Sequence, residues 1–199
     1  MTYTPTMPWA LSRRVVQPIS QRRPQNLCQD KFLIVCCGNE LQGDAAVGPS
    51  VAMTISGWKL ASVHAVVVDE LTPALILELA RTNYVIFVEP CAEGDRARTA
   101  QLCPIVAQPL HSENIHIEAN QCSANALLSL TQQIHNTCPQ SWLMKVPTED
   151  FRFPGKLSST AITGINQALK TITQFLRTYQ SPQSQSLQGQ SFRDQSSQK

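Results

Sequence analysis

Charged residues are scarce in this sequence, and their balance excludes one class of partner. Asp, Glu, Lys and Arg together make up 15% of the 199 residues, and the formal net charge is only +2. Proteins that bind nucleic acids usually carry a strongly basic face, which a net charge this small does not supply. We therefore expect no nucleic acid among the partners of this protein.

The sequence also lacks a long hydrophobic run and any paired-cysteine motif. No apolar segment approaches the roughly 20 residues that cross a bilayer, so we expect no association with a membrane. The seven cysteines form no C-x-x-C pair and are odd in number, which gives little support to a zinc site or a disulfide framework. Buried, reduced thiols in a cytoplasmic protein are the expected state.

Several catalytic motifs are missing as well. There is no Gly-Lys-Ser or Gly-Lys-Thr of a Walker loop, no G-x-S-x-G nucleophile elbow and no H-E-x-x-H zinc motif. A catalytic cysteine would need an oriented histidine, and the sequence points to none. These absences argue against a Walker-type nucleotidase, a serine hydrolase of the elbow type and a zinc protease of the H-E-x-x-H type.

The two ends of the chain differ in composition from the middle. Residues 1–30 contain two arginine pairs and no acidic residue before Asp30, which predicts a disordered N-terminal extension, with an organelle-targeting segment as the alternative. Residues 180–199 are rich in Gln and Ser and have little to bury, so they predict a disordered tail. The folded domain should span residues 31–179, which is long enough to bury a core.

Apolar runs of strand length alternate with helical patterns through this domain. The runs KFLIVCC, SVHAVVVDE, NYVIFVEP and SWLMKVP predict buried strands, and Pro104 makes TAQLCPIVAQ a weaker edge strand. An apolar stripe of helical spacing extends from Ala45 to Trp58, and Gly57 marks the expected end of this helix. Further helical patterns are LTPALILELARTN, SANALLSLTQQIHN and SSTAITGINQALKTITQFLRTY. This alternation predicts an α/β three-layer sandwich, with a mostly parallel sheet and helices on both faces.

A glycine-rich loop follows the first strand, in FLIVCCGNELQGDAAVG. Three strand ends, with residues 38–44, residues 69–72 and Glu89, should meet at one edge of the sheet, where ligands of parallel sheets bind. A dinucleotide site is one interpretation of the glycines, although the G-x-G-x-x-G spacing is not met. The structural interpretation is a tight turn that lets the following helix pack closely.

Four ordered motifs resemble the hydrogenase maturation endopeptidases, which trim a C-terminal peptide from the large subunit of nickel-iron hydrogenase after nickel insertion. The first is GNELQGDAAVG after a strand, similar to the family's G-N-x-L-x-x-D-[DE]-x-x-G. The others are VDELTP before a helix, VIFVE as an apolar strand with an acidic end, and PTEDFRFPGKLS before the last helix. The resemblance covers most of residues 32–178.

The resemblance implies an activity and a set of site residues. It implies a peptidase that acts on a nickel-loaded hydrogenase large-subunit precursor, with nickel carried by the substrate and no cofactor of its own. The family's recognition site has two carboxylates and one histidine, donors that suit nickel. The corresponding positions here are Ala45, which has no donor atom, Glu89, which adds one methylene to the family's aspartate, and Asn120, which offers a neutral amide.

From the resemblance we predict Asp44 and Glu89 as the catalytic carboxylates, and Glu89, Asp44 and Asn120 as the groups that contact the metal. Asp44 could take the place of the missing carboxylate, and His111 or His116 could replace the missing histidine. A pair in which Asp44 and Glu89 share one proton is a further possible arrangement. The alternative function is a homologue with a degenerate site that binds a partner or assists maturation without cutting.

Overall fold

The computed structural model describes residues 31–92, 99–108, 122–152 and 155–180. The predicted N-terminal extension and residues 181–199 of the predicted tail lie outside these ranges, as do His111, His116 and Asn120, whereas Gln180, the first residue of the predicted tail, is helical. Within them, the helices and strands in chain order are β1 (Phe32–Cys37), α1 (Val47–Gly57), β2 (Val63–Val68), α2 (Ile76–Ala80), β3 (Tyr84–Cys91), β4 (Gln101–Ile105), α3 (Ala124–His135), β5 (Gln140–Pro147) and α4 (Ser159–Gln180). Short 3₁₀ turns precede α1 and α2.

The five strands form one sheet in the order β2-β1-β3-β5-β4. The strands β2, β1, β3 and β5 are parallel to their neighbours, and β4 pairs antiparallel with β5 at the edge. The predicted mostly parallel α/β sheet and the edge position of the Pro104 strand are both confirmed. The strand order reverses between β1 and β3, so this is the topological switch point at which such sheets bind ligands.

Helices cover both faces of the sheet, which confirms the predicted three-layer sandwich. Phe32, Ile34 and Cys36 of β1 pack with buried residues of α1 and α4, which we call the α1/α4 layer. Leu33 and Val35 of the same strand pack with buried residues of α2 and α3, which we call the α2/α3 layer. Because successive side chains of a strand point to opposite faces, a strand buried on both sides becomes a continuous apolar run.

Most helix ends agree with the sequence, and α2 is the exception. The first helix ends at Gly57 as predicted, and Ser123 caps α3 by accepting a hydrogen bond from the Ala126 N–H at 3.3 Å. The predicted second helix is shortened because Asn83 holds the chain to the start of β1. Its backbone N–H donates to the Lys31 carbonyl at 3.1 Å, and its Oδ1 accepts from the Lys31 N–H at 3.0 Å.

The described cysteines are free thiols, and they differ in exposure. Cys36, Cys37 and Cys122 are buried as expected, and burial raises the pKa of Cys36 to about 12. Cys103 is exposed, because it lies on the edge strand β4, so the expectation of a buried thiol is wrong there. None of the described helices is both long and apolar enough to span a membrane.

Candidate functional site

The parallel strands end at one edge of the sheet, which we call the carboxyl edge, and the glycine loop turns sharply there. The Gly38 N–H donates to the Val68 carbonyl at 3.0 Å, and the Asn39 N–H donates to the Ala45 carbonyl at 3.1 Å. Gly38 has a φ of +142°, and a Cβ at this position would overlap the Ala45 carbonyl oxygen. Glycine is therefore required for the loop to fold back on itself.

Gly48 serves the close approach of α1 to β1. A Cβ on Gly48 would overlap the backbone carbonyl of Cys37, the last residue of β1. The first turn of α1 can lie against the strand end only because this side chain is absent. The structural interpretation of the loop glycines is therefore sufficient to explain Gly38 and Gly48.

Asp44 connects this loop to the segment between β5 and α4. Its side chain is 0% exposed, and its two oxygens accept four hydrogen bonds. Oδ2 accepts from the Glu149 N–H at 2.7 Å, the Asp150 N–H at 2.9 Å and the Ser158 hydroxyl at 2.8 Å, while Oδ1 accepts from the Ser158 N–H at 2.7 Å. We call these four residues the Asp44 clamp.

The clamp determines the charge of Asp44. Burial on its own raises the pKa of this carboxyl, but the backbone donors of Ser158, Glu149 and Asp150 and the Ser158 hydroxyl outweigh it and lower the pKa. Asp44 is thus an ionised, fully hydrogen-bonded carboxylate. The metal contact and the proton-sharing pair predicted for Asp44 stay predictions, and either one requires the carboxylate to release at least one of its donors.

Ala45 occupies the position at which the resemblance expects a carboxylate. The residue is only 9% exposed, and its backbone N–H donates to the Gln42 carbonyl at 2.9 Å. A methyl group has no lone pair to offer a metal. This part of the carboxyl edge therefore contributes backbone geometry and no ligand.

Glu89 lies in β3 beside the switch point. Its side chain is partly buried, and burial raises its pKa, against the opposing effect of Lys145 on β5. Cys37 of β1 is close enough for the charge of Glu89 to act on it, since burial first and Glu89 second raise the pKa of the Cys37 thiol. Glu89 is thus a carboxyl whose ionised form is disfavoured by burial, and carboxyls perturbed in this way in a cleft are candidates for a functional site.

Glu149 and Asp150, two further acids of the carboxyl edge, each have a partner near them in the sequence. The exposed side chain of Glu149 accepts a hydrogen bond from the Thr160 hydroxyl at 2.9 Å. Asp150 and Arg152 form an ion pair at 2.6 Å, and the hydrogen bonds from Arg152 lower the pKa of Asp150 to about 2. Within the described ranges, no group of three His, Cys, Asp or Glu residues is arranged to hold a metal ion.

Two residues of the site were missed by the sequence analysis. Ser158, which completes the Asp44 clamp, also accepts a hydrogen bond from the Ala161 N–H at 3.0 Å and so caps α4. Its position just before a helix is a recognisable capping signal. Lys145 is the single charge in the apolar run SWLMKVP, and a lone cation in a strand with both faces covered indicates a nearby carboxylate.

Solved structures of maturation proteases share this fold. HybD from E. coli superposes with a TM-score of 0.57 at 18% identity, over 74% of this chain and 93% of that chain. HybD from Thermococcus kodakarensis gives 0.55 at 12% identity, over 73% and 98%. A hydrogenase 2 maturation peptidase from a Thaumarchaeota archaeon gives 0.54 at 18% identity, over 74% and 98%.

No protein-family model and no curated protein matches the sequence. The likeness is therefore one of architecture, and it agrees with the resemblance found in the four sequence motifs. The chain has the fold of the hydrogenase maturation endopeptidases.

Proposed function

We propose that this protein is a member of the hydrogenase maturation endopeptidase family and acts in the cytoplasm on a hydrogenase large-subunit precursor. The reaction is removal of a C-terminal peptide from a precursor that already carries nickel. The observation that carries the proposal is the partly buried Glu89 carboxylate at the switch point of a fold shared with solved maturation proteases. A carboxylate at this place can contact a metal that a bound partner presents.

The remaining residues of the carboxyl edge have supporting roles in this proposal. The Asp44 clamp holds the glycine loop and the segment before α4 together, so the two walls of the edge keep a fixed separation. Nickel belongs to the substrate, and the protein needs no cofactor of its own to recognise it. Asn120 remains the third residue predicted to contact the metal.

A second candidate function is supported by the surroundings of Asp44 and Ala45. Asp44 already accepts four hydrogen bonds, and the side chain of Ala45 has no atom that could bind a metal. Among the described residues, Glu89 is therefore the carboxylate left at the switch point. A homologue with this site could bind the precursor and assist its maturation without cutting it.

The test is incubation of the purified protein with nickel-loaded and nickel-free precursor, followed by mass measurement of the large subunit. Nickel-dependent loss of a C-terminal peptide, reduced in Glu89→Gln but not in Glu78→Gln, supports the peptidase. Glu78 is a suitable control because it is exposed on α2. Binding of the nickel-loaded precursor without cleavage supports the second candidate, and absence of both binding and cleavage contradicts the whole proposal.

A complementary experiment restores the family's ligands. If the natural site is degenerate, the double substitution Ala45→Glu with Asn120→His should create nickel affinity that the natural protein lacks. Equal nickel binding by both proteins would argue against degeneracy. Isothermal titration with nickel alone measures this without the precursor.

A further inference from the structure

The register of β3 and β5 places Lys145 directly beside Glu89. The two strands are parallel, and Glu89 is aligned with Lys145. Neighbouring strands lie about 4.8 Å apart, and side chains at aligned positions point to the same face. Glu89 and Lys145 therefore extend from neighbouring positions on the same face of the sheet.

The residues two positions earlier show which face this is. Phe87 of β3 and Leu143 of β5 both pack in the α2/α3 layer, so Glu89 and Lys145 point to that side too. Cys37 of β1 belongs to the same layer. Cys36 is aligned with Val88 of β3, so Cys37 and Glu89 are the next residues along the two strands. A row of thiol, carboxylate and ammonium thus crosses the carboxyl ends of β1, β3 and β5.

Within this row, the charge of Lys145 acts on Glu89. The Cys37 thiol is neutral, since burial and the neighbouring Glu89 both raise its pKa. Lys145 attracts the Glu89 carboxylate and favours its ionised form against the effect of burial. Both side chains are only partly exposed, so water screens their attraction less than it would at the surface.

We propose that Lys145 is the internal counter-ion of Glu89 and determines which cations the carboxyl edge accepts. This inference rests on the proposed function, in which Glu89 meets a metal presented by a partner. A hydrated divalent ion that approaches Glu89 is repelled by the positive charge of Lys145. A metal already held by anionic groups of a partner carries less net positive charge, so it is repelled less.

Lys145 is accordingly a specificity-determining residue: it keeps free metal ions off Glu89 while leaving the carboxylate open to a metal in a protein-bound state. The direct test is titration of the full chain with Ni²⁺ alone, by isothermal calorimetry. In Lys145→Met the affinity for Ni²⁺ should rise at least tenfold. A tenfold change in affinity corresponds to about 1.4 kcal/mol. In Lys145→Arg the affinity for Ni²⁺ should stay within about twofold of the natural protein, because arginine keeps the positive charge.

A double-mutant cycle separates Ni²⁺ binding at Glu89 from Ni²⁺ binding by histidines and cysteines elsewhere in the chain. In the Glu89→Gln background, Lys145→Met should no longer change Ni²⁺ affinity, since the carboxylate that it exposes is gone. Lys145→Gln, a smaller change, repeats the measurement if the methionine variant has lost its cooperative unfolding transition. Unchanged or weaker Ni²⁺ binding after both charge-removing substitutions overturns the proposal, as does an equal gain in the Glu89→Gln background.

The outcome is distinguishable from failure of the proposed function, because Ni²⁺ alone is the probe. If Lys145→Met gains affinity for Ni²⁺ but no hydrogenase precursor is bound or cut, the counter-ion role stands and the assigned partner is wrong. If the precursor is processed but Lys145→Met shows no gain, the proposed function stands and the counter-ion role is wrong.

Discussion

Asp44 and Ser158 are joined by two hydrogen bonds across 114 positions of sequence. The Ser158 N–H donates to Oδ1 of Asp44 at 2.7 Å, and the Ser158 hydroxyl donates to Oδ2 at 2.8 Å. The same hydroxyl oxygen accepts from the Ala161 N–H, which caps α4. One buried carboxylate therefore holds together the loop that leads into α1 and the first turn of α4.

Removal of the Asp44 carboxylate should destabilise the protein strongly. Asp44→Ala leaves three backbone N–H groups and one hydroxyl without their buried acceptor, and we expect a loss of about 3 kcal/mol in the free energy of unfolding. Asp69→Ala is the matched control, since Asp69 is exposed just after β2, and it should change stability by about 0.5 kcal/mol or less. Urea unfolding measures both, and equal losses would contradict a structural role for Asp44.

The two carboxylates at the carboxyl edge should give opposite dependences of stability on pH. The pKa of Asp44 is lowered by folding, so its contribution is present above the unfolded value near 3.8 and is lost as the pH falls through the folded pKa. The pKa of Glu89 is raised, so its contribution is present below the unfolded value near 4.5 and is lost as the pH rises through the folded pKa.

Melting temperatures between about pH 2 and pH 7 test these signs. Asp44→Asn should flatten the fall in stability on the acid side of pH 3.8, and Glu89→Gln should remove a loss of stability above pH 4.5. Identical pH profiles for the natural protein and both variants would show that neither carboxyl changes its pKa on folding.

The sheet could be predicted from the sequence because its strands are buried on both faces. Runs such as KFLIVCC carry that information locally, and Pro104 identified the edge strand. The antiparallel direction of β4 could not be predicted, since an edge strand shows the same pattern in either orientation. The helix α2 is shorter than the sequence predicts. The hydrogen bonds between Asn83 and Lys31 that end this segment join distant parts of the chain, and no local pattern reveals them.

The site could be predicted only in part, because it too depends on hydrogen bonds between distant parts of the chain. The resemblance identified Asp44, Ala45 and Glu89, and the structure places all three near the carboxyl ends of β1 and β3. The donors that saturate Asp44 lie more than 100 positions away, and no local pattern reveals them. Whether an aspartate in a glycine loop is a ligand or a clamp depends on such distant donors, so the sequence alone could not decide it.

Two glycines of α1 should respond in opposite ways to the same substitution. In Gly48→Ala the added Cβ would overlap the Cys37 carbonyl, which is backbone and cannot rotate away, so we expect a loss of about 3 kcal/mol. Gly57 ends the same helix, and nothing lies within 4 Å of the place that a Cβ would occupy there, so Gly57→Ala should be neutral or stabilise by about 0.5 kcal/mol. Chemical unfolding of the two variants measures the difference, and similar effects would contradict the close packing of α1 on β1.

Thr148 contains a buried hydroxyl that finds no hydrogen-bond partner in the part of the chain that the structure describes. Its side chain is 8% exposed and directly follows β5, next to the Asp44 clamp. Because an unsatisfied buried hydroxyl costs about 1–3 kcal/mol, Thr148→Val should stabilise the protein by about 1 kcal/mol.

Thr131 is the matched control for this substitution. It is 0% exposed, and its hydroxyl donates to the Leu127 carbonyl at 2.8 Å, so Thr131→Val loses a satisfied hydrogen bond and should destabilise by about 1 kcal/mol. Thermal unfolding of both variants measures the contrast. If Thr148→Val is as destabilising as Thr131→Val, the Thr148 hydroxyl has a partner outside the described residues, because a buried hydroxyl stabilises the fold only when its hydrogen bond is satisfied.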